Sequence, residues 1–127
     1  MIEQATQISM CLNGDDAMAI KHIMSARHYL QSMIGAIRYA MVTLANAKDR
    51  SQESSIANRE KRNVTGMLSK AKLEQKNGHK VMKPTSFWFV DLDIKNRDII
   101  QKKYSLAKGV EAVRLAIRTQ AVKDGWK

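Results

Sequence analysis

Apolar residues recur along this chain with two different periods. From Asp16 to about Lys48 no proline intervenes, and Ile20, Ile23, Leu30, Ile34, Ile37, Met41 and Leu44 punctuate the segment. Once Arg27 is counted in the register, the steps from Ile23 onward alternate between four and three. Such a seam belongs to a helix packing along another helix. The spacing predicts one helix of about 45 Å, at about 1.5 Å per residue. Asn13-Gly14-Asp15-Asp16 precedes it as a turn, with an aspartate available to cap free amides at the positive end of the helix dipole. The shorter segment from Ile2 to Leu12 covers only part of the seam, so a second copy of the chain is expected to bury the rest. A hairpin with the following segment is the alternative.

Asp49 to Ser55 is polar and marks a break. A second helix is expected from about Glu53 or Ile56 to Gln75, with Ile56, Val64, Met67, Leu68, Ala71 and Leu73 on a weaker stripe and Gly66 inside it. Asn77-Gly78-His79-Lys80 reads as its stop. After Pro84 the period changes. Thr85-Ser86-Phe87-Trp88-Phe89-Val90-Asp91-Leu92-Asp93 is dense in β-branched and aromatic residues and predicts a strand. Asp93 or Asn96 then opens a helix to about Leu106, with Ile94, Ile99, Ile100 and Tyr104 as inward residues. Beyond Gly109 a final helix carries Val110, Val113, Leu115, Ala116, Ile117 and Val122, and ends before Asp124-Gly125.

One strand cannot satisfy its own backbone donors and acceptors. Two mates come into question: the same strand of a second chain across a two-fold axis, or a segment such as His79 to Met82. The first would build a two-stranded antiparallel ribbon, which fits the major groove of B-DNA. The order strand, helix, helix from Thr85 to Val122 resembles the ribbon-helix-helix DNA-binding proteins of the Arc and MetJ type. The local likeness lies in Val110-Glu111-Ala112-Val113-Arg114-Leu115-Ala116-Ile117-Arg118, similar to the second helix of that family, and it covers about a third of the chain.

The resemblance implies a mainly α fold: long N-terminal helices and a C-terminal strand-helix-helix forming an intertwined dimer around the ribbon. It implies base reading by outward strand residues, Lys83, Thr85, Phe87 and Phe89, if Trp88, Val90 and Leu92 face the core. The opposite phase exposes Ser86, Trp88 and Val90. It also implies phosphate binding where the second helix begins, at Ser105, Lys108 and Gly109, since amides there are unpaired at the positive dipole end.

Charge sharpens this division. The 127 residues carry a net charge of +10. Five basic and five acidic residues cancel up to Asn58, whereas 17 basic and 7 acidic residues follow it. The organisation expected is a helical packing region over residues 1–50, a basic helix and linker over 51–83, and a DNA-binding region over 84–127. Arg59, Arg62, Lys70, Lys72, Lys102 and Lys103 join the candidates for phosphate contact.

What is missing narrows the chemistry. The sequence has no glycine-rich phosphate loop; His22, His28 and His79 are scattered; and Cys11 is the only cysteine. Asp15-Asp16 and Asp91 with Asp93 sit beside no nucleophile and are better read as caps. No enzyme, metal or cofactor is therefore expected. No apolar run is long enough for a membrane span, Met1-Ile2-Glu3-Gln4 lacks the basic start of a secretory signal, and a single cysteine suits a reducing compartment. The sequence thus leads to a cytoplasmic, homodimeric, sequence-specific regulator of transcription that binds double-stranded DNA, a type common on phages and plasmids. Two alternatives stand beside it. One is an RNA-binding or RNA-chaperone protein stacking Trp88 or Phe89 on unpaired bases. The other is a helical adaptor for an acidic protein, engaged through the N-terminal helices.

Overall fold

In Thr6-Gln7-Ile8-Ser9-Met10-Cys11-Leu12-Asn13 the larger apolar residues occupy every second position, the period of a half-buried strand. The computed structural model, which describes residues 5–27, 32–65 and 82–126, forms strand β1 there, Thr6–Asn13. Helices α1 (Gly14–Ala26), α2 (Met33–Ala45) and α3 (Gln52–Thr65) follow. Strand β2 (Met82–Phe89) and helices α4 (Asp91–Lys103) and α5 (Gly109–Lys123) complete the order. Among the described residues the protein is mainly helical, with one two-stranded antiparallel sheet.

The long helix expected from Asp16 to Lys48 is two helices. Ser32 is extended (φ −143°, ψ 154°), and its hydroxyl accepts a 3.1 Å hydrogen bond from the Gly35 amide, which starts α2. Arg27, the residue that kept the heptad register continuous, lies outside both helices. Its guanidinium grips both carboxylate oxygens of Asp124 at 2.5 and 3.0 Å and stacks on the Tyr39 ring, 4.3 Å from the centroid. Much of the seam is covered within one chain. Ile20, Ile23, Ile37, Met41 and Leu44 are buried within the protein, each contributing about 1.5–3 kcal/mol. Leu30 lies outside the described residues.

What they pack against is α5, where every residue from Glu111 to Ala121 is buried and each of the other described helices makes contact. It ends in a Schellman turn: the Gly125 amide reaches the Val122 carbonyl and the Trp126 amide reaches Ala121, with Gly125 at φ +100°. Helix α4 closes in the same way through Ser105, at φ +54°. The expected second helix agrees with α3 as far as Thr65; its remainder and the stop at Asn77 to Lys80 lie outside the described residues.

Among the described residues the mate of the strand is β1; of the segment His79 to Met82, the first three residues lie outside the described residues. β2 pairs antiparallel with β1 of its own chain, Thr6 opposite Phe89 and Asn13 opposite Met82. The chain therefore repeats itself. Strand, helix and helix run 8, 13 and 13 residues in β1-α1-α2, and 8, 13 and 15 residues in β2-α4-α5. The halves interlock, since α1 packs on α5 and α2 packs on α4. α3 belongs to neither half and lies along α5.

Candidate nucleic-acid interface

Directly opposed residues of an antiparallel pair point to the same face. Phe89 is 0% exposed, Phe87 is also buried, and Ile8, opposite Phe87, packs against the same core. Trp88 is 58% exposed and stands opposite Gln7, also exposed; Ser86 is exposed and stands opposite Ser9. The ribbon thus has an inner face anchored by two phenylalanines and an outer face bearing Gln7, Ser86 and Trp88.

This corrects the expected phase. Phe87 and Phe89 are core, not base-facing, and Ser86 and Trp88 take the outward positions. The reason is parity carried past the end of the strand. The expectation groups Val90 and Leu92 with Trp88 as inward residues of one strand, yet β2 stops at Phe89 and α4 begins at Asp91. Leu92 is consequently an exposed helical residue. Of Lys83 and Thr85 the backbone alone is described, within β2. Ile99, expected inward, is exposed on α4, whereas Ile100 and Tyr104 are buried.

The outer end of the ribbon is held by Arg38 of α2. Its guanidinium donates to the Trp88 carbonyl at 2.9 Å and to the Asp93 carboxylate at 2.9 Å, while its side chain remains 40% exposed. Asp93 also accepts from the Val90 amide at 2.9 Å, capping α4. Asp93 is thereby a cap, as the sequence implied, with Arg38 as its ionic partner; Arg97 is drawn instead to Asp98, at 3.7 Å.

The other half repeats this arrangement. Arg114 of α5 donates from the same Nε atom to Asp16 of α1, again at 2.9 Å, with both side chains at 0% exposure. Each half therefore lends an aspartate from its first helix to an arginine in the second helix of the other. Arg118 adds a longer contact to Asp16 at 3.8 Å and one to Glu60 at 3.9 Å. α3 reaches the buried arginine, its Val64 carbonyl accepting from Arg114 at 3.5 Å, whereas Arg38 remains 40% exposed.

These residues were open to discovery from the sequence. Ile34-Gly35-Ala36-Ile37-Arg38-Tyr39-Ala40-Met41-Val42-Thr43-Leu44-Ala45 aligns without gaps with Val110-Glu111-Ala112-Val113-Arg114-Leu115-Ala116-Ile117-Arg118-Thr119-Gln120-Ala121. Ala36, Arg38, Ala40, Thr43 and Ala45 recur as Ala112, Arg114, Ala116, Thr119 and Ala121. The repeat is the signal that reading each segment separately missed.

The expected phosphate site has other work. Ser105 and Lys108 lie in the loop between α4 and α5, and Gly109 is the first residue of α5. The buried Glu111 carboxylate fills that loop, accepting the Ala107 and Lys108 amides at 3.1 and 3.0 Å. A fixed negative charge there opposes a phosphate. Ser105 serves as the left-handed residue that ends α4, and Gly109 sits where an added Cβ would lie 3.0 Å from Arg97 Nε. Lys103 donates to the Ala47 carbonyl. Lys102 and Lys108 are exposed, as are Arg59 and Arg62 on α3; Lys70 and Lys72 lie outside the described residues.

Among the described residues no group of three histidine, cysteine, aspartate or glutamate side chains could hold a metal ion. No described helix is long and apolar enough to cross a membrane. Comparison with family models, curated proteins and solved structures yields no match.

Proposed function

We propose that this protein binds double-stranded DNA through the outer face of its β1–β2 ribbon, as a sequence-specific regulator of the ribbon-helix-helix kind whose two halves lie in one chain. The observation that carries this reading is the ribbon itself. It is a two-stranded antiparallel element, anchored inward by Phe87 and Phe89, with Gln7, Ser86 and Trp88 turned to solvent. Such a ribbon matches the width of the major groove. The exposed residues suit base edges: a glutamine pairs with adenine N6 and N7, a serine accepts or donates, and an aromatic ring makes apolar contact with a thymine methyl group. The charge of +10 supplies attraction to phosphates.

We read the DNA-binding unit as a single chain rather than the anticipated homodimer, because β1 supplies a mate for β2 and Ile20, Ile23, Ile37, Met41 and Leu44 of the helical seam are buried within one chain. Exposure of Trp88 also favours a second reading, stacking on unpaired bases of RNA. Competition decides between them. Labelled duplex DNA should be displaced by unlabelled duplex far better than by single-stranded RNA of equal length, and its affinity should fall steeply with salt. Preferential displacement by RNA would replace the DNA reading with the RNA one, and binding indifferent to salt would remove both.

A further inference from the structure

We infer that one chain is a complete recognition unit for an asymmetric, non-palindromic duplex site, with the two ends of the ribbon reading different bases. The inference rests on the duplex-DNA reading above and adds the form of the target.

The register is symmetric about one pair. Ser9 lies opposite Ser86, and the remaining positions step away from it in both directions, Gln7 opposite Trp88 and Cys11 opposite Pro84. Strands and first helices superpose in sequence at one spacing, which matches Asp16 with Asp93. The second helices match at a spacing one residue shorter, which pairs Arg38 with Arg114. Symmetry of this kind in two identical chains gives two equal half-sites, and a palindromic target mirrors it.

Here the frame repeats but the readers do not. At the spacing that matches Ser9 with Ser86, Gln7 corresponds to Pro84 and Cys11 to Trp88. Gln7 and Trp88 therefore share one end of the ribbon, both exposed and facing the same way. The opposite end carries Cys11 and Pro84 in register. At those two register positions the sequence supplies a cysteine, a weak donor, and a proline, which has no side-chain hydrogen-bonding group. The surroundings differ as well. α3 seals Arg114 in one half, while Arg38 in the other remains 40% exposed and bonded to the Trp88 carbonyl. Among the described side chains, the outward groups are Gln7 and Trp88 at one end and Ser86 at the centre of the register.

The test is selection of bound duplexes from a random library by the full-length protein, with the mass of the complex measured on a selected duplex by sedimentation. The expected result is a motif without dyad symmetry, bound by one chain. Trp88→Ala, verified as folded by circular dichroism, should lose preference by roughly tenfold at one end of the motif and leave the other end unchanged. A palindromic motif occupied by two chains would overturn this inference while leaving the ribbon as the DNA-binding element. Failure to select any duplex would overturn the inference together with the function on which it rests.

Discussion

The two matched ion pairs should differ in what they contribute, because water reaches one and not the other. Asp16→Ala leaves the Arg114 guanidinium at 0% exposure without its carboxylate. Removing one partner of a buried pair costs about 3–5 kcal/mol, since the remaining charge stays desolvated. Asp93→Ala leaves Arg38, 40% exposed, which turns to solvent. That change forfeits a charged hydrogen bond of reduced strength and the cap on the Val90 amide, together about 1–2 kcal/mol. Against a typical domain stability of about 5–15 kcal/mol, the first variant is severely weakened and the second is tolerated. Replacing the buried pair as a whole, Asp16→Leu with Arg114→Met, should recover most of the loss, because a well-packed apolar pair is often neutral or better. Urea unfolding followed by circular dichroism reads all three from their midpoints, provided the slopes are unchanged. Equal losses for Asp16→Ala and Asp93→Ala, or a double variant as weak as the single, would refute the claim that α3 seals one pair and leaves its twin open.

Other outcomes follow from single residues. Phe89→Ala should destabilise by about 3–5 kcal/mol and Trp88→Ala by less than about 0.5, measured by urea unfolding; similar losses would reverse the strand phase. Ser105→Gly should raise the unfolding midpoint by the equivalent of about 1 kcal/mol, since the residue holds a left-handed φ of 54°; no gain would mean that φ carries no strain. Burial raises the Tyr104 hydroxyl above the ordinary tyrosine range, so its stabilisation is present below that range and is lost as pH rises through the folded value. Tyr104→Phe should flatten the alkaline limb of the stability profile, and an unchanged limb would contradict the burial. The Lys123 hydrogen bond lowers the Glu53 carboxyl, so its contribution is present above the ordinary carboxylate range and fades as pH falls through the folded value. Glu53→Gln should shrink the acid-side loss of stability.

How much of this was legible depended on whether a signal was local. The final helix was readable because Val110, Val113, Ala116 and Ile117 give an apolar helical stripe within one segment, partly buried at Val110 and buried at the other three. β2 was readable because Phe87-Trp88-Phe89-Val90 has few other uses. The break before α2 was not, since a heptad pattern runs through Arg27 and does not reveal the tertiary contact that this residue makes with Asp124 from outside α1. β1 escaped because Met10, Cys11 and Leu12 lack β-branching, and the period of two in Ile8, Met10 and Leu12 is weak in eight residues. The outward face was misassigned because parity depends on where the strand ends, a boundary that α4 and its cap Asp93 set. The positive charge of the second half was a fair guide in sum and a poor one residue by residue, since Arg114 and Arg118 hold the fold together through Asp16 and Glu60.

Trp88 offers the most direct measurement of whether the ribbon meets DNA. The only other tryptophan, Trp126, packs against the core beneath Arg118, 5.3 Å from its guanidinium, so Trp126→Phe leaves emission from Trp88 alone. Titrating that variant with duplex DNA should quench and shift the emission in proportion to occupancy, with an affinity that weakens steeply as salt rises. Saturating DNA that leaves Trp88 emission as it is in the free protein would contradict the account.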